Sequence, residues 1–415
     1  MRGKETGMKM GGKYLLVVAA MCGLSMATVG LTTNVAGLFF TPMADEFGVM
    51  RGSASLTLTI ANICVALGGL ATRKLTKTVP LRVLLIAGAA ILAGSTFATA
   101  LSPNIVLTYV LSATKGLAGG VIGFVFITYV LNKWFVAQLG LVTSIAMGMS
   151  GLAGAVFTPI LQPVVEGAGW RSGMMLMAVL QVVLCLPVIF FLPAVDPIDA
   201  GLRPFGLADN KETVSAHHDK SQPVRVDKLI FGGVVCYAVL SAAVSAMPQH
   251  FPGYAEEMGL AAATGAAMIS ACMVANTAGK IVMGWLCDRV GALASIMSYT
   301  VLVAVSIVAL LFLKFPVVFI VAAFLFGMCY SRATVGITMM CRELFGKRGS
   351  GIVYPVAALG TSISNAVFSS AVGYAYDAMG SYVISLVAFL VFLLGSAAIT
   401  LWCYRRAVSG VGEVT

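Results

Sequence analysis

Three basic side chains lie deep inside long apolar stretches of this 415-residue sequence, at Lys115, Lys280 and Arg332. A charged side chain at the centre of a membrane costs roughly 2.5–3.5 kcal/mol, so such a residue normally faces a cavity or a partner. The 16 acidic residues all lie away from the middle of these stretches. Because an uncompensated buried cation is expensive, we predict that the three residues bind a small anion.

Several uncharged polar side chains in the same apolar stretches are candidates for hydrogen bonds to that anion. They are Asn34, Tyr129, Asn276, Tyr330, which is two residues before Arg332, and Asn365. The alternative for each is a hydrogen bond between helices, which polar residues in membrane segments commonly make.

The segments that must position these residues are apolar almost throughout. Hydrophobic residues make up 59% of the chain and charged residues 10%, with a mean hydropathy of +0.97, whereas a soluble domain carries about 25% charged residues. The runs lack strict alternation, which favours membrane-spanning helices over a membrane β-barrel. The sequence therefore predicts an all-α protein of the lipid bilayer. Twelve segments are long enough to span it: 14–40, 51–71, 80–101, 103–131, 138–162, 170–193, 227–251, 262–286, 292–313, 316–340, 348–374 and 381–404.

The basic residues are distributed unevenly over the predicted loops. If the N-terminus is cytoplasmic, 20 of the 26 lie on the cytoplasmic side and only Arg51, Arg171 and Lys314 lie outside. This excess follows the positive-inside rule. We predict a multi-pass protein of the bacterial inner membrane with both termini in the cytoplasm. The net charge of +10 then reflects the basic residues of the cytoplasmic loops and does not indicate nucleic-acid binding.

One long polar stretch, 194–226, divides the spans six and six. We predict an N-terminal six-helix bundle at 1–193, a cytoplasmic linker at 194–226 and a C-terminal six-helix bundle at 227–415. The His217-His218-Asp219 run inside the linker is not followed by further ligands at metal spacing, so we predict a solvated loop and no metal site.

The loop between the eighth and ninth spans reads Gly284-Trp285-Leu286-Cys287-Asp288-Arg289-Val290-Gly291. Gly284 would let two helices approach closely, Asp288 could pair with Arg289 or with a helix N-terminus, and Gly291 would permit a turn. We predict that these four residues form a gating motif. The pattern G-x-x-x-D-R-x-G is typical of the major facilitator superfamily, which the chain resembles over its full length. The resemblance implies two pseudo-symmetric halves and transport by alternating access. The corresponding N-terminal stretch, 68–74, lacks the acidic residue.

A closer resemblance begins at Asn276-x-x-x-Lys280, with the cation eight residues before Asp288. This spacing is similar to that of the oxalate:formate antiporter and monocarboxylate porter families, where an arginine at the position of Lys280 binds a substrate carboxylate. The stretches 39–48 and 132–135 are also similar. Lysine supplies a point charge in place of a bidentate clamp. The second cation of the oxalate antiporter, on span 11, has no counterpart here, so the resemblance does not assign oxalate.

The depth of the three cations in the membrane agrees with a binding role. They lie near the midplane or somewhat to its cytoplasmic side, where transporters usually bind substrates. Two structural alternatives remain open. Lys280 could extend toward cytoplasmic water, and Lys115 could donate to a backbone carbonyl of another helix.

Together these features predict a monomeric secondary transporter of small organic anions, mono- or dicarboxylates, working by antiport or by symport with protons. The sequence implies no cofactor and contains no phosphate-binding loop of an ATPase. Symport would run through a lysine such as Lys280, which could lose its proton in an empty cavity. His250, at the outer end of span 7, is a second candidate, as a proton relay. The alternatives are a carrier of inorganic or other anionic metabolites, an efflux carrier for drugs, a sensor with the same fold, and a membrane enzyme, for which we find no catalytic constellation.

Overall fold

The computed structural model describes residues 11–136, 138–206, 227–313 and 315–411. Eleven helices in these ranges are long and apolar enough to cross a membrane. The longest, Val142–Phe191, breaks at Gly169, whose φ of +80° is non-helical, and each arm is long enough to cross. The prediction of an all-α membrane protein with twelve spans is therefore confirmed. The spans are α1 Gly12–Asn34, α2 Arg51–Thr78, α3 Leu81–Ala100, α4 Ile105–Trp134, α5 142–168, α6 170–191, α7 Lys228–Glu257, α8 Ala262–Val290, α9 Ala292–Phe312, α10 Pro316–Gly346, α11 Ile352–Met379 and α12 Val383–Val408.

Four of the spans are irregular along their length. Helix α1 is a π-helix over Met26–Asn34 and resumes as Gly37–Phe47, which we call the α1 extension. Helix α4 is interrupted at Gly123. Helix α7 passes through a 3₁₀ turn at Met247–His250, and α10 through a π-helix at Arg332–Gly336. The sequence analysis predicted continuous spans here. Irregular segments of this kind are often found at functional sites.

The N-half (α1–α6) and the C-half (α7–α12) repeat two interactions. An asparagine joins the first and fifth helices of each half: Asn34 Nδ2 donates to the Ser150 carbonyl at 2.7 Å, and Asn365 Nδ2 to Ser245 Oγ at 3.0 Å. A glutamate near the end of the first helix, with the α1 extension included, then binds the start of the sixth. Glu46 accepts from Arg171 Nε at 2.9 Å, and Glu257 from the Tyr382 backbone N–H at 2.9 Å. The repeated bonds agree with a duplicated six-helix unit.

The beginning of the segment between the halves packs on the N-half. Lys133 Nζ contacts Asp196 Oδ2 at 2.8 Å, and Trp134 Nε1 donates to the Ala194 carbonyl at 3.2 Å. The hydrogen bond from Lys133 holds the pKa of Asp196 below its usual value. Residues 207–226, with the His217-His218-Asp219 run, lie outside the described residues, so the linker and its bounds stay predictions.

The halves meet firmly at the end of the bundle that holds Arg51, Glu256 and Asp377, which we call the closed end. The carboxylate of Asp377 accepts from the backbone N–H groups of Arg51 at 3.0 Å and Gly52 at 2.7 Å, at the first turn of α2. Arg51 also forms an ion pair with Glu256 at 3.1 Å. Because a helix N-terminus favours an anion, Asp377 of the C-half fixes a helix of the N-half.

Close backbone approach completes this contact. A β-carbon on Gly37, in the α1 extension, would overlap the Gln249 carbonyl oxygen of α7. Phe40 and His250 pack across the same junction with ring centroids 5.6 Å apart. We call the opposite end of the bundle the termini end, because α1 begins and α12 ends there. The contacts of Asp377, Arg51 and Gly37 join the two halves at the closed end.

Candidate functional site

Lys280 lies where α8 of the C-half crosses α5 of the N-half. Thr277 Oγ1 donates to the Gly148 carbonyl of α5 at 3.1 Å, and a β-carbon on Gly151 would meet Met273 and Thr277. The i, i+3 and i, i+4 spacings place Lys280 on the same face of α8 as Asn276 and Thr277, one turn closer to the termini end. Lys280 is half-buried and makes no hydrogen bond or ion pair with any residue of the described ranges.

Asn276, one turn before Lys280, has almost no hydrogen bonding of its own. The side chain is buried, its Nδ2 has only a distant contact with Met273 Sδ at 3.8 Å, and its Oδ1 has no partner among the described residues. A buried amide without partners costs free energy. Asn276 and Lys280 therefore present an unsatisfied amide and an unpaired ammonium at the junction of the halves.

Asn34 approaches this junction from the N-half. A β-carbon on Gly154 of α5 would lie 3.0 Å from Asn34 Cβ and 2.8 Å from Met273 Cγ of α8. The amide nitrogen of Asn34 already donates to Ser150. Asn34 therefore packs next to the helix that carries Asn276 and Lys280, while its amide holds α1 to α5.

Lys115 lies inside the N-half and not at the junction. It is 8% exposed and lines a cavity of about 20 Å³ formed by α1 with its extension, α2, α3, α4 and α6. No hydrogen bond or ion pair to Lys115 is found within the described residues. The alternative of a bond to a backbone carbonyl is therefore not what the structure shows.

Arg332 lies inside the C-half, at the π-helical segment of α10. Its side chain is fully buried, and its Nη2 donates to Ser396 Oγ of α12 at 2.8 Å. The guanidinium carbon lies 5.7 Å from the ring centroid of Tyr237 on α7. Nε and Nη1 have no partner in the described part of the chain. The three cations thus occupy three different settings: Lys115 lines a cavity of the N-half, Arg332 bonds within the C-half, and Lys280 lies beside the crossing of α5 and α8.

The remaining predicted polar residues are dispersed. Tyr129 lies under Lys133, with the ammonium 5.3 Å from its ring centroid, near the start of the linker. Tyr330 lies close to Cys272 and Gln249. Asn365 joins α11 to α7 through Ser245. For Asn34 and Asn365, the structure shows the interhelical hydrogen bond that was the alternative to substrate binding.

The predicted gating motif lies at the termini end of α8. Gly291 has a φ of +86°, as the turn requires, and is the N-cap residue of α9. Within the described residues, no atom lies within 4 Å of a β-carbon built on Gly284, so none of their side chains packs closely there in this conformation. Arg289 stacks on Trp285, 4.4 Å from its ring centroid, and Asp288 is exposed without an ion pair to Arg289.

Sequence reasoning missed the acidic residue that organises this corner. Glu343 of α10 accepts from the backbone N–H of Ala292 at 2.8 Å, which caps α9, and from Tyr404 Oη at 2.6 Å. Reasoning from sequence also missed the closed-end contact of Asp377 with α2. A signal was present for the second: Arg51 is one of few basic residues on its side, and Glu256, Glu257 and Asp377 lie on the same side.

Comparison with known proteins identifies a family with this architecture. The family description "Major Facilitator Superfamily" matches residues 22–369. The 4-hydroxybenzoate transporter PcaK of Pseudomonas putida is 27% identical over 184 residues, which are 44% of this chain and 40% of that protein. The chain thus matches less than half the length of that relative.

Two kinds of solved structure share the fold. A bacterial homologue of the human lysosomal transporter Spinster, solved in an inward-facing and unoccupied conformation, superposes with a TM-score of 0.69 at 12% identity, covering 97% of this chain and 99% of that one. The nucleoside transporter NupG (D323A mutant) gives a TM-score of 0.68 at 12% identity, covering 94% and 100%.

Proposed function

Because the chain belongs to the major facilitator superfamily, we propose that it carries small organic anions, mono- or dicarboxylates, across the membrane by alternating access. The chain is a transporter of that superfamily; the substrate class is our inference. The setting of Lys280 is the observation that supports an anionic substrate. A half-buried ammonium at the junction of the halves, without a carboxylate partner in the described part of the chain, is electrostatically complementary to an anion.

The neighbours of Lys280 suit a carboxylate or a hydroxy acid. Lysine attracts an anion as a point charge with three donors, and the unbonded Oδ1 of Asn276 can accept from a hydroxyl or a protonated carboxyl group. The relative PcaK is named for 4-hydroxybenzoate, a monocarboxylate with a hydroxyl group. That likeness covers part of each chain and supports the anion class without assigning this compound.

The position of Lys280 also suits alternating access. It lies beside the α5–α8 crossing, which is held by the bond from Thr277 to Gly148. A ligand that reaches Lys280 from the termini end would contact the surface along which the halves must move. Differential contacts of a ligand with two conformations are what shift their populations.

The location and coupling belong to the same proposal. We place the protein as a monomer in a bacterial inner membrane with its termini in the cytoplasm, as the positive-inside rule favours, so that the closed end faces outward. Either exchange of two anions or symport of an anion with a proton would serve. Lys280 is the candidate proton carrier for symport. His250 is a second candidate, as a relay, since it is buried at the closed end and its Nε2 lies 2.7 Å from the Ser369 carbonyl.

The decisive experiment is anion counterflow in proteoliposomes that contain the full-length protein. We expect Lys280→Gln to lower the initial rate at least tenfold across a panel of benzoates, short monocarboxylates and dicarboxylates, and Lys280→Arg to retain part of it. Lys228→Gln, which removes an exposed lysine at the start of α7, is the matched control and should transport normally. Wild-type flux by Lys280→Gln in a protein of unchanged thermal stability would refute the site.

A pH-sensitive dye inside the same vesicles separates the two coupling modes. Symport predicts luminal acidification that accompanies anion entry, whereas exchange predicts uptake only when the vesicles are preloaded with an anion. Flux of sulfate or phosphate in place of every carboxylate would favour the alternative of an inorganic anion carrier.

A further inference from the structure

We propose that the cavity beside Lys115 is a second anion site, separate from Lys280, which holds one halide-sized inorganic anion. The cavity is lined wholly by residues of the N-half, so its occupant would not lie between the halves. Neither Lys280 nor Arg332 lines it. The inference does not depend on the identity of the transported substrate.

The size of the cavity limits what it can hold. Its volume is about 20 Å³, whereas a cavity needs roughly 10–15 Å³ measured in this way to accept one water molecule. Pockets for organic ligands are usually about 300–1,000 Å³. A carboxylate with a carbon chain or ring is therefore excluded, and a single small ion or water fits.

Several donors that line the cavity have no hydrogen-bond acceptor among the described residues. Thr108, Ser112 and Lys115 line it from one face of α4, and Thr32 lines it from α1. Thr108 bonds to Asn104 and Ser102. In contrast, the hydroxyl hydrogens of Ser112 and Thr32 and the ammonium of Lys115 have no acceptor among the described residues. Thr32 itself only accepts, from Gln181 Nε2 at 3.2 Å.

The charge balance selects an anion over water. The side chain of Lys115 is more than nine-tenths buried, and no aspartate or glutamate lines the cavity. A buried cation without a counter-charge is strongly disfavoured. A monovalent anion would neutralise the ammonium and accept from the two free hydroxyls, which satisfies both the charge and the donors. A divalent anion would leave an excess negative charge in the same place.

Thermal unfolding of the purified full-length protein in detergent tests this site. Sodium chloride is exchanged for sodium methanesulfonate, which is too large for the cavity, at constant ionic strength. We expect a saturable rise of several degrees in Tm with chloride, and a similar rise with bromide, because a ligand that binds only the folded state stabilises it by mass action.

Variants assign the effect to the cavity. Lys115→Met should abolish the halide-dependent shift. Ser112→Ala keeps the charge and removes one donor, so it should weaken halide affinity about tenfold, as expected for a hydrogen bond to a charged group. Lys280→Gln should keep the halide shift while losing any shift produced by carboxylates, so failure of the proposed transport site and failure of the halide site are distinguishable.

Two results would overturn the inference. One is a Tm of the wild type that moves no more in chloride than in methanesulfonate, as expected if Lys115 is neutral or hydrated. The other is a saturable halide shift that survives unchanged in both Lys115→Met and Ser112→Ala. Should Lys115→Met fail to fold, Ser112→Ala and the position of a bromide anomalous-scattering peak relative to Lys115 decide the question.

Discussion

The contact between Asp377 and the first turn of α2 predicts how strongly one side chain holds the closed end. In the structure, Asp377 accepts from the backbone N–H groups of Arg51 and Gly52 at 3.0 and 2.7 Å. Replacing Asp377 by alanine removes both bonds and the anion at the N-terminus of α2. The halves then lose a direct link between α2 and α11, while the ion pair of Arg51 with Glu256 remains.

The magnitude follows from the kind of bond. A hydrogen bond to a charged group contributes about 1.5–3 kcal/mol, and an anion at a helix N-terminus about 0.3–1 kcal/mol. Because Asp377 is only half-buried, we take the lower part of this range and expect about 2 kcal/mol in favour of opening. At 1.4 kcal/mol per factor of ten, opening of the closed end becomes roughly 30-fold more frequent.

Hydrogen exchange of the peptide that begins at Arg51 measures this directly, since Asp377 protects two of its amides. We expect exchange of these amides to accelerate roughly 30-fold in Asp377→Ala, with no change in the interior of α2. The matched control is Glu46→Ala, which removes a carboxylate at the same end whose partners, Trp170 and Arg171, lie within the N-half. Exchange within twofold of the wild type in Asp377→Ala would refute the reasoning.

Two further predictions concern packing and pH. Gly37→Ala should destabilise the folded protein by about 1–3 kcal/mol through overpacking, since a β-carbon there would meet the Gln249 carbonyl oxygen. Gly232→Ala is the control, because a β-carbon on Gly232 meets no atom of the described residues within 4 Å. Equal Tm values for the two variants would contradict the close approach. Asp196→Asn should lower Tm at pH 7. The Tm gap to the wild type should begin to narrow as pH falls below 3.8 and should close only below the folded-state pKa, which Lys133 holds lower than 3.8. A Tm gap that does not narrow as pH falls through this range would contradict the ion-pair origin.

The helices and their number could be predicted from the sequence because the bilayer allows so few solutions. Every backbone group must be satisfied within the membrane, so long apolar runs become helices. Gly169 did not change the count, since the predicted spans already stopped on either side of it. The breaks in α1, α4, α7 and α10 were not foreseen, because interruptions of one turn leave the hydrophobic pattern unchanged.

The candidate site was only partly accessible to sequence reasoning. The rarity of charge in the spans was enough to select Lys115, Lys280 and Arg332. Which face of each helix points to the junction between the halves depends on packing, and this separated Lys280 from the other two. Arg332 shows why local sequence patterns were not sufficient. Its side chain bonds to Ser396, 64 positions away, and a local pattern does not predict a pair at that separation.

The irregular segments of the four interrupted helices lie at two levels. Those of α1 and α7 lie in the part of the helix nearer the closed end, and those of α4 and α10 lie close to the middle of the helix. A helix bends most easily where its regular ladder of backbone hydrogen bonds is already interrupted. The closed end therefore has a pair of flexure points of its own, one in each half. It can change shape there while the rest of the bundle keeps its packing, so we expect the closed end to open without a rearrangement of every helix.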